Sequence, residues 1–181
     1  MVSEGEFLAL LDKVKWSDVD SLVTLAKESN FNFDLLMIGL KSSKKQAIEV
    51  LCSIFVDMNA ESAIPYLFEL LQQQCDTANA IRARNAIISF GPKSLPYCKV
   101  LLDNPKWVVR LYVVQIIALA KDIEYLKTLE IASLRDKSEK VKNAALQAID
   151  YLLGANPLSE CSLLPQPDSR EYKIGMQKSF L

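Results

Sequence analysis

Apolar residues recur at helical spacing along most of the chain, in short runs that polar turns separate. Residues 64–67, 95–98 and 123–126 open three similar helices, and Pro65 and Pro96 fit the first turn because its amides have no partner within the helix. Each helix leads through a turn into a second, more apolar one, predicted at 77–90, 105–120 and 138–153. Pro105 is expected to start a helix, and Gly91 and Gly154 to stop one.

The N-terminal part shows the same alternation with weaker markers. Ser3 and Glu6 have the spacing of a capping box at the start of a first helix. A short helix is predicted from Phe33 to Leu40, and another runs to about Met58. We therefore expect an all-α chain of about five antiparallel helical hairpins over residues 1–154. Residues 155–181, which are richer in proline and serine, read as an irregular C-terminal tail, for which docking on the last hairpin is favoured over disorder.

A short motif occurs three times between helices: an aspartate is followed, six or seven residues later, by a basic residue that comes directly after a branched apolar one. The copies are Asp76 with Ile81-Arg82, Asp103 with Val109-Arg110, and Asp136 with Val141-Lys142. This pattern, with the early prolines, resembles HEAT-type helical repeats of the short bacterial style, which are related to phycobilisome-lyase-like and armadillo-like repeats. The resemblance covers residues 62–154 and implies a right-handed α-solenoid in which the aspartate and the base join neighbouring repeats.

The first of the three copies departs from that pattern. Its apolar phase fits better on Ala83 and Ala86 than on Ile81, which argues against treating Arg82 as the equivalent of Arg110.

The composition argues against several classes of function but does not identify one. The 181 residues are 50% hydrophobic and carry a formal net charge of −1, so no global positive field indicates nucleic acid or an anionic membrane. The chain has no histidine, its four cysteines are widely spaced, and five glycines form no phosphate-binding motif. We expect buried free thiols, no metal, no cofactor and no catalytic residues, in a cytoplasmic protein without a membrane span.

The second helices of such hairpins usually line the concave face, which is the surface most often used for binding. A tryptophan beside basic residues is typical of an interface anchor, although packing between repeats would also explain it. The lysines, in turn, also suit an ordinary solvent-exposed helix face. The candidate partner-binding residues are Lys44, Lys45, Arg84, Lys106, Trp107, Lys140 and Asn143.

Two classes of function follow. The first is a non-catalytic protein-binding scaffold, adaptor or dedicated inhibitor, and the sequence favours this class without excluding an enzyme. The second is a nucleic-acid-binding protein resembling the HEAT-like alkylpurine DNA glycosylases, which the near-neutral charge disfavours. A bilin lyase or chaperone is suggested only by the repeat subtype. The sequence does not determine the partner or the oligomeric state.

Overall fold

The computed structural model describes residues 4–28 and 45–154, and within these ranges the chain is all-α, without a strand. The helices are α1 (Glu4–Leu11), α2 (Val19–Glu28), α3 (Lys45–Asp57), α4 (Ile64–Gln73), α5 (Ala78–Ser89), α6 (Leu95–Leu101), α7 (Trp107–Leu119), α8 (Leu126–Arg135) and α9 (Glu139–Leu152). The second helices α5, α7 and α9 fall within two residues of the predicted ranges, so the apolar periodicity located them correctly.

The helices pack as hairpins whose second members form a row. The pairs α4/α5, α6/α7 and α8/α9 pack together across short turns. Helix α5 also contacts α3 and α7, and α7 contacts α9, while α1 and α2 pack on α3. Each hairpin is too small to bury its own apolar face, so its neighbours complete the core.

Local sequence explains where several helices begin and end. Pro65 and Pro96 occupy the first turns of α4 and α6, as predicted. Gly91 and Gly154 adopt φ values of 58° and 67°, a left-handed conformation that stops a helix and that glycine adopts without steric cost. Pro105 precedes α7 by two residues instead of starting it, because Lys106 is the N-cap.

The predicted apolar stripes are the core. Most of the side chains that the periodicity placed inward in α3, α7 and α9 are 0% exposed: Ala47, Val50, Leu51, Ile54, Phe55, Val109, Val113, Ile116, Ile117, Val141, Ala145 and Ala148. Of the others on the same stripes, Ala120 is 8% exposed, and Ile149 and Leu152 are half-buried against the core. Helix α7 is buried on nearly every side, since α6, α9 and α5 all pack against it. Its strongly apolar sequence suits this central position.

Three of the four cysteines lie in the described residues, and all three are buried free thiols, as expected. Burial raises the pKa of the Cys98 thiol to about 12 and raises that of Cys52 as well. The Cys52 and Cys98 thiols are therefore protonated in the folded chain at neutral pH.

Four predictions lie outside the described residues: the Ser3 cap, the helix from Phe33 to Leu40, Lys44, and the tail at 155–181. None of the helices in the described ranges is long and apolar enough to cross a membrane.

Candidate functional site

Trp107 is the most exposed side chain of α7, with 38% of its surface accessible. It is the first residue of the helix, at the point where the chain emerges from the turn after α6. The backbone of such a residue is held by an otherwise buried helix, while part of its large aromatic side chain is exposed to solvent. This combination is typical of an anchor residue in a protein interface.

The next hairpin supplies a cation to the Trp107 ring. Lys140, in the first turn of α9, places its Nζ 4.7 Å from the ring centroid. A cation–π contact at an exposed site stabilises by about 0.5–1 kcal/mol. The contact joins two neighbouring second helices and restricts the orientation of the indole.

Lys106, the residue before Trp107, is held by the end of α4 and by its own turn. Lys106 Nζ donates to the backbone oxygen of Gln72 at 3.3 Å, and its backbone N–H donates to Asn104 Oδ1 at 3.0 Å. Asn104 Nδ2 in turn donates to Gln72 Oε1 at 3.2 Å, so the end of α4 and the turn before α7 are linked. Lys106 remains exposed despite these contacts.

A buried ion pair supports this surface from below. Arg110 Nε and Nη2 donate to the two oxygens of Asp136 at 2.7 and 2.8 Å, and the two side chains are only 10% and 7% exposed. Arg110 Nη1 also donates to the backbone oxygen of Asn104 at 2.7 Å, and Asp136 Oδ1 accepts from the backbone N–H of Ser138 at 2.7 Å. This ion pair thus fixes both turns that present Trp107 and Lys140.

The same pair shifts the two pKa values in opposite directions. The hydrogen bonds from Arg110 hold the pKa of Asp136 below its ordinary value, and the carboxylate raises the pKa of Arg110. Both groups therefore stay charged at neutral pH. The predicted coupling of an aspartate and a base between neighbouring hairpins is confirmed for Asp136 and Arg110.

The other bases of the motif behave differently. Arg82 Nε binds Glu49 Oε2 at 2.6 Å, in the preceding helix α3, whereas Arg110 binds a residue of the following hairpin. This difference agrees with the argument from apolar phase that the two arginines are not equivalent. Lys142 binds Glu139 Oε1 at 2.9 Å within its own helix, so its expected contact between repeats is not present in the described residues. Asp103 is exposed.

The prediction that Arg84 lies on an accessible face is wrong, because its side chain is 0% exposed. Its Nη1 donates to Gln115 Oε1 at 3.0 Å, Nε and Nη2 donate to Asn85 Oδ1, and its guanidinium lies 5.4 Å from the Tyr112 ring centroid. Arg84 shares the helical phase of Ala80 and Ile87, both 0% exposed. It is therefore a core contact between α5 and α7.

The remaining candidates divide into two places. Asn143 is exposed one turn after Lys140 on the same face of α9. Lys45 begins α3, which the row of helices separates from α7 by α5, and its side chain is half-buried. The structure therefore brings together Lys106, Trp107, Lys140 and Asn143, and we call these four residues the tryptophan surface.

Sequence reasoning missed two contributors to the tryptophan surface. Gln72 is a hydrogen-bond partner of both Asn104 and Lys106, which lie more than thirty residues away. Its own sequence context, in the polar end of α4, contains no mark of that contact. Asp136 was predicted as a structural residue, but its role in fixing the turn before Lys140 became visible only through the bond to Ser138.

Comparison of the chain with protein-family models, with curated proteins and with solved structures returned no match.

Proposed function

We propose that this chain is a non-catalytic protein-binding scaffold, adaptor or inhibitor that binds its partner through the tryptophan surface. The observation that supports this best is the mounting of Trp107. Trp107 is 38% exposed, its ring contacts Lys140 of the neighbouring hairpin, and the residue begins a helix that the buried Arg110–Asp136 pair fixes in place. An anchor that is already ordered loses little entropy on binding, so its apolar area contributes more fully to affinity.

The proposal includes a HEAT-type, right-handed α-solenoid. The row formed by α3, α5, α7 and α9 supports it, as does the matching burial of second helices. Val109, Val113 and Ile116 of α7 correspond in spacing to Val141, Ala145 and Ala148 of α9, and all six are 0% exposed. Stacks of this kind present a continuous face built from consecutive second helices, and that face is the one on which Trp107 and Lys140 would lie.

The charge of the tryptophan surface indicates the chemistry of the partner. Lys106 precedes Trp107 in the chain, the Lys140 ammonium lies 4.7 Å from the ring centroid, and both lysines are exposed. Lysines at the rim of an interface attract acidic side chains and speed association. We therefore propose a protein partner, in the cytoplasm, with an apolar or aromatic residue flanked by carboxylates.

Nucleic acid is the second candidate, since the same two lysines beside an aromatic ring would also suit a phosphate backbone and a stacked base. The Lys140 ammonium already occupies a position against the indole, 4.7 Å from its centroid. Base stacking on that side would have to displace it, which favours protein over nucleic acid.

The test is an affinity capture from a lysate of the native host, with and without nuclease and at two salt concentrations. Wild-type chain is compared with Trp107→Ala and with Tyr66→Ala, a control that removes another aromatic residue, 44% exposed, from α4. We expect one stoichiometric protein that survives nuclease and salt, is lost with Trp107→Ala and is retained with Tyr66→Ala. Capture that disappears with nuclease or modest salt would instead support nucleic acid.

A further inference from the structure

Asn85 lies at the centre of the accessible stripe of α5. Helix α4 packs behind α5, and α3 and α7 flank it, so within the described residues one stripe of the helix reaches solvent. Along this stripe Ile81 and Ile88 are half-buried, whereas Asn85 between them is exposed. Asn85 is therefore on the face that the row of second helices presents.

The buried side chain of Arg84 fixes the side-chain amide of Asn85. Nε and Nη2 of Arg84 donate to Asn85 Oδ1 at 3.2 and 2.9 Å. A guanidinium has only donors, so the amide oxygen must face Arg84 and the amide nitrogen must point away from it. Within residues 4–28 and 45–154, Asn85 Nδ2 donates to no acceptor. Asn85 thus presents an oriented pair of N–H donors to solvent.

The guanidinium also makes this amide a stronger donor. A cation bonded to the oxygen of an amide polarises the group and strengthens the hydrogen bonds that its N–H groups make. Arg84 is 0% exposed, so water screens its charge from Asn85 only weakly. A negatively charged acceptor gains most from such a donor. The donor pair of Asn85 therefore favours a carboxylate.

The same arginine joins Asn85 to the helix that begins with Trp107. Arg84 Nη1 donates to Gln115 Oε1 of α7 at 3.0 Å. Gln115 lies two turns after Trp107, which is about 12 Å along the helix axis. Neighbouring helix axes are about 8–10 Å apart, so roughly 15 Å separates Trp107 from Asn85. Half-buried Leu111 lies one turn from each of Trp107 and Gln115.

We infer that Asn85 is a second contact for the protein partner and binds a carboxylate of the segment whose apolar residue packs on Trp107. An extended segment advances about 3.3 Å per residue, so roughly 15 Å separates residues about four or five positions apart. The inference rests on the proposed role of Trp107 and adds a defined spacing between the apolar and the acidic residue of the partner. Arg84 is a positioning residue, because it acts on the partner only through Asn85.

The test uses synthetic peptides with blocked ends that carry one phenylalanine and one aspartate, separated by a glycine and serine spacer of varied length. Binding to the full chain is followed by two-dimensional ¹⁵N NMR, in which the Trp107 indole N–H and the Asn85 side-chain N–H pair give separate signals. We expect spacers of about three or four residues to shift both signals at the lowest peptide concentration. Replacing the peptide aspartate by asparagine should weaken binding at least about tenfold, because the charged acceptor is lost.

Asn85→Asp separates peptide binding from folding. The new carboxylate accepts the same two hydrogen bonds from Arg84 as a charged pair, so Tm should not fall. It removes the donors and repels the peptide aspartate, so the dissociation constant should rise at least about tenfold. The matched control is Asn59→Asp, since Asn59 is also exposed and accepts from Lys93 Nζ at 3.2 Å, in the turn before α4. That change should alter the constant less than about twofold.

The possible outcomes distinguish this inference from the proposed function. Peptides that shift the Trp107 signal but not the Asn85 amide, or that bind equally well at every spacer length, would overturn the inference and leave the role of Trp107 intact. Equal affinity of Asn85→Asp and the wild type would do the same, and a fall in Tm would contradict the assigned orientation of the amide. Peptides that shift neither signal would contradict both proposals.

Discussion

Removing the carboxylate of Asp136 should lower the free energy of unfolding more than breaking an exposed ion pair does. Asp136→Ala deletes the acceptor of two hydrogen bonds from Arg110 and one from Ser138, and leaves the arginine charge 10% exposed. Breaking one side of a buried pair costs about 3–5 kcal/mol. Arg110 keeps its bonds to the carbonyls of Asn104 and Pro105, which partly solvate the charge, so we expect the lower end of that range.

A loss of about 3 kcal/mol corresponds to a fall in Tm of roughly 6–12 °C, at about 2–4 °C per kcal/mol for a domain of this size. The assay is thermal and urea unfolding followed by circular dichroism at 222 nm at neutral pH. The matched control is Glu61→Ala, which breaks the Lys93–Glu61 contact of 2.7 Å, where the side chains are 45% and 55% exposed. That change should cost less than about 1 kcal/mol.

The pH dependence provides an independent check of the same contact. Because the folded-state pKa of Asp136 is lowered, its ionised form stabilises the fold above the unfolded-state value near 3.8. The stability difference between wild type and Asp136→Ala should therefore be equal at pH 7 and pH 5 and should shrink as the pH falls through the folded-state pKa. A variant with wild-type Tm at pH 7, or a difference that grows in acid, would refute the assigned role.

Three further outcomes follow from the structure. Trp107→Ala combined with Lys106→Glu should abolish partner binding in the capture assay while leaving Tm nearly unchanged; an unfolded double variant would place Trp107 in the core. Arg84→Ala should lower the free energy of unfolding in urea by about 2–4 kcal/mol, since it empties a fully buried site, and unchanged stability would contradict that burial. Gly91→Ala should cost about 1 kcal/mol because its φ is 58°, whereas Gly5→Ala, in helix α1, should cost nothing by the same measurement.

Much of the fold could be predicted because its information is local. The second helices follow from apolar residues at spacings of three and four, and their ends follow from proline in a first turn and glycine at positive φ. The Arg110–Asp136 pair could also be predicted from the sequence, because both residues belong to a motif that recurs along the chain.

The candidate site was only partly predictable, because the helical phase of one residue was misjudged and because one contact joins two different hairpins. Arg84 was predicted to lie off the apolar stripe of its helix, yet it shares the helical phase of Ala80 and Ile87 and is 0% exposed. The contact of Lys140 with Trp107 depends on how two hairpins pack, which the spacing within either helix does not encode. The phase of Arg84 was therefore readable within its own helix, whereas the Lys140 contact required the packing between hairpins.

The central position of α7 has a consequence for how the chain loosens. Amide hydrogens in α7 can exchange with solvent only when the helices on both sides separate, whereas those in α8, which packs mainly on α9, need only the last hairpin to open. Exchange rates should therefore be slowest in α7 and increase toward α8. When the α8/α9 hairpin, which contains Lys140, opens from α7, the lysine would leave the indole before Trp107 itself lost the support of α5 and α6.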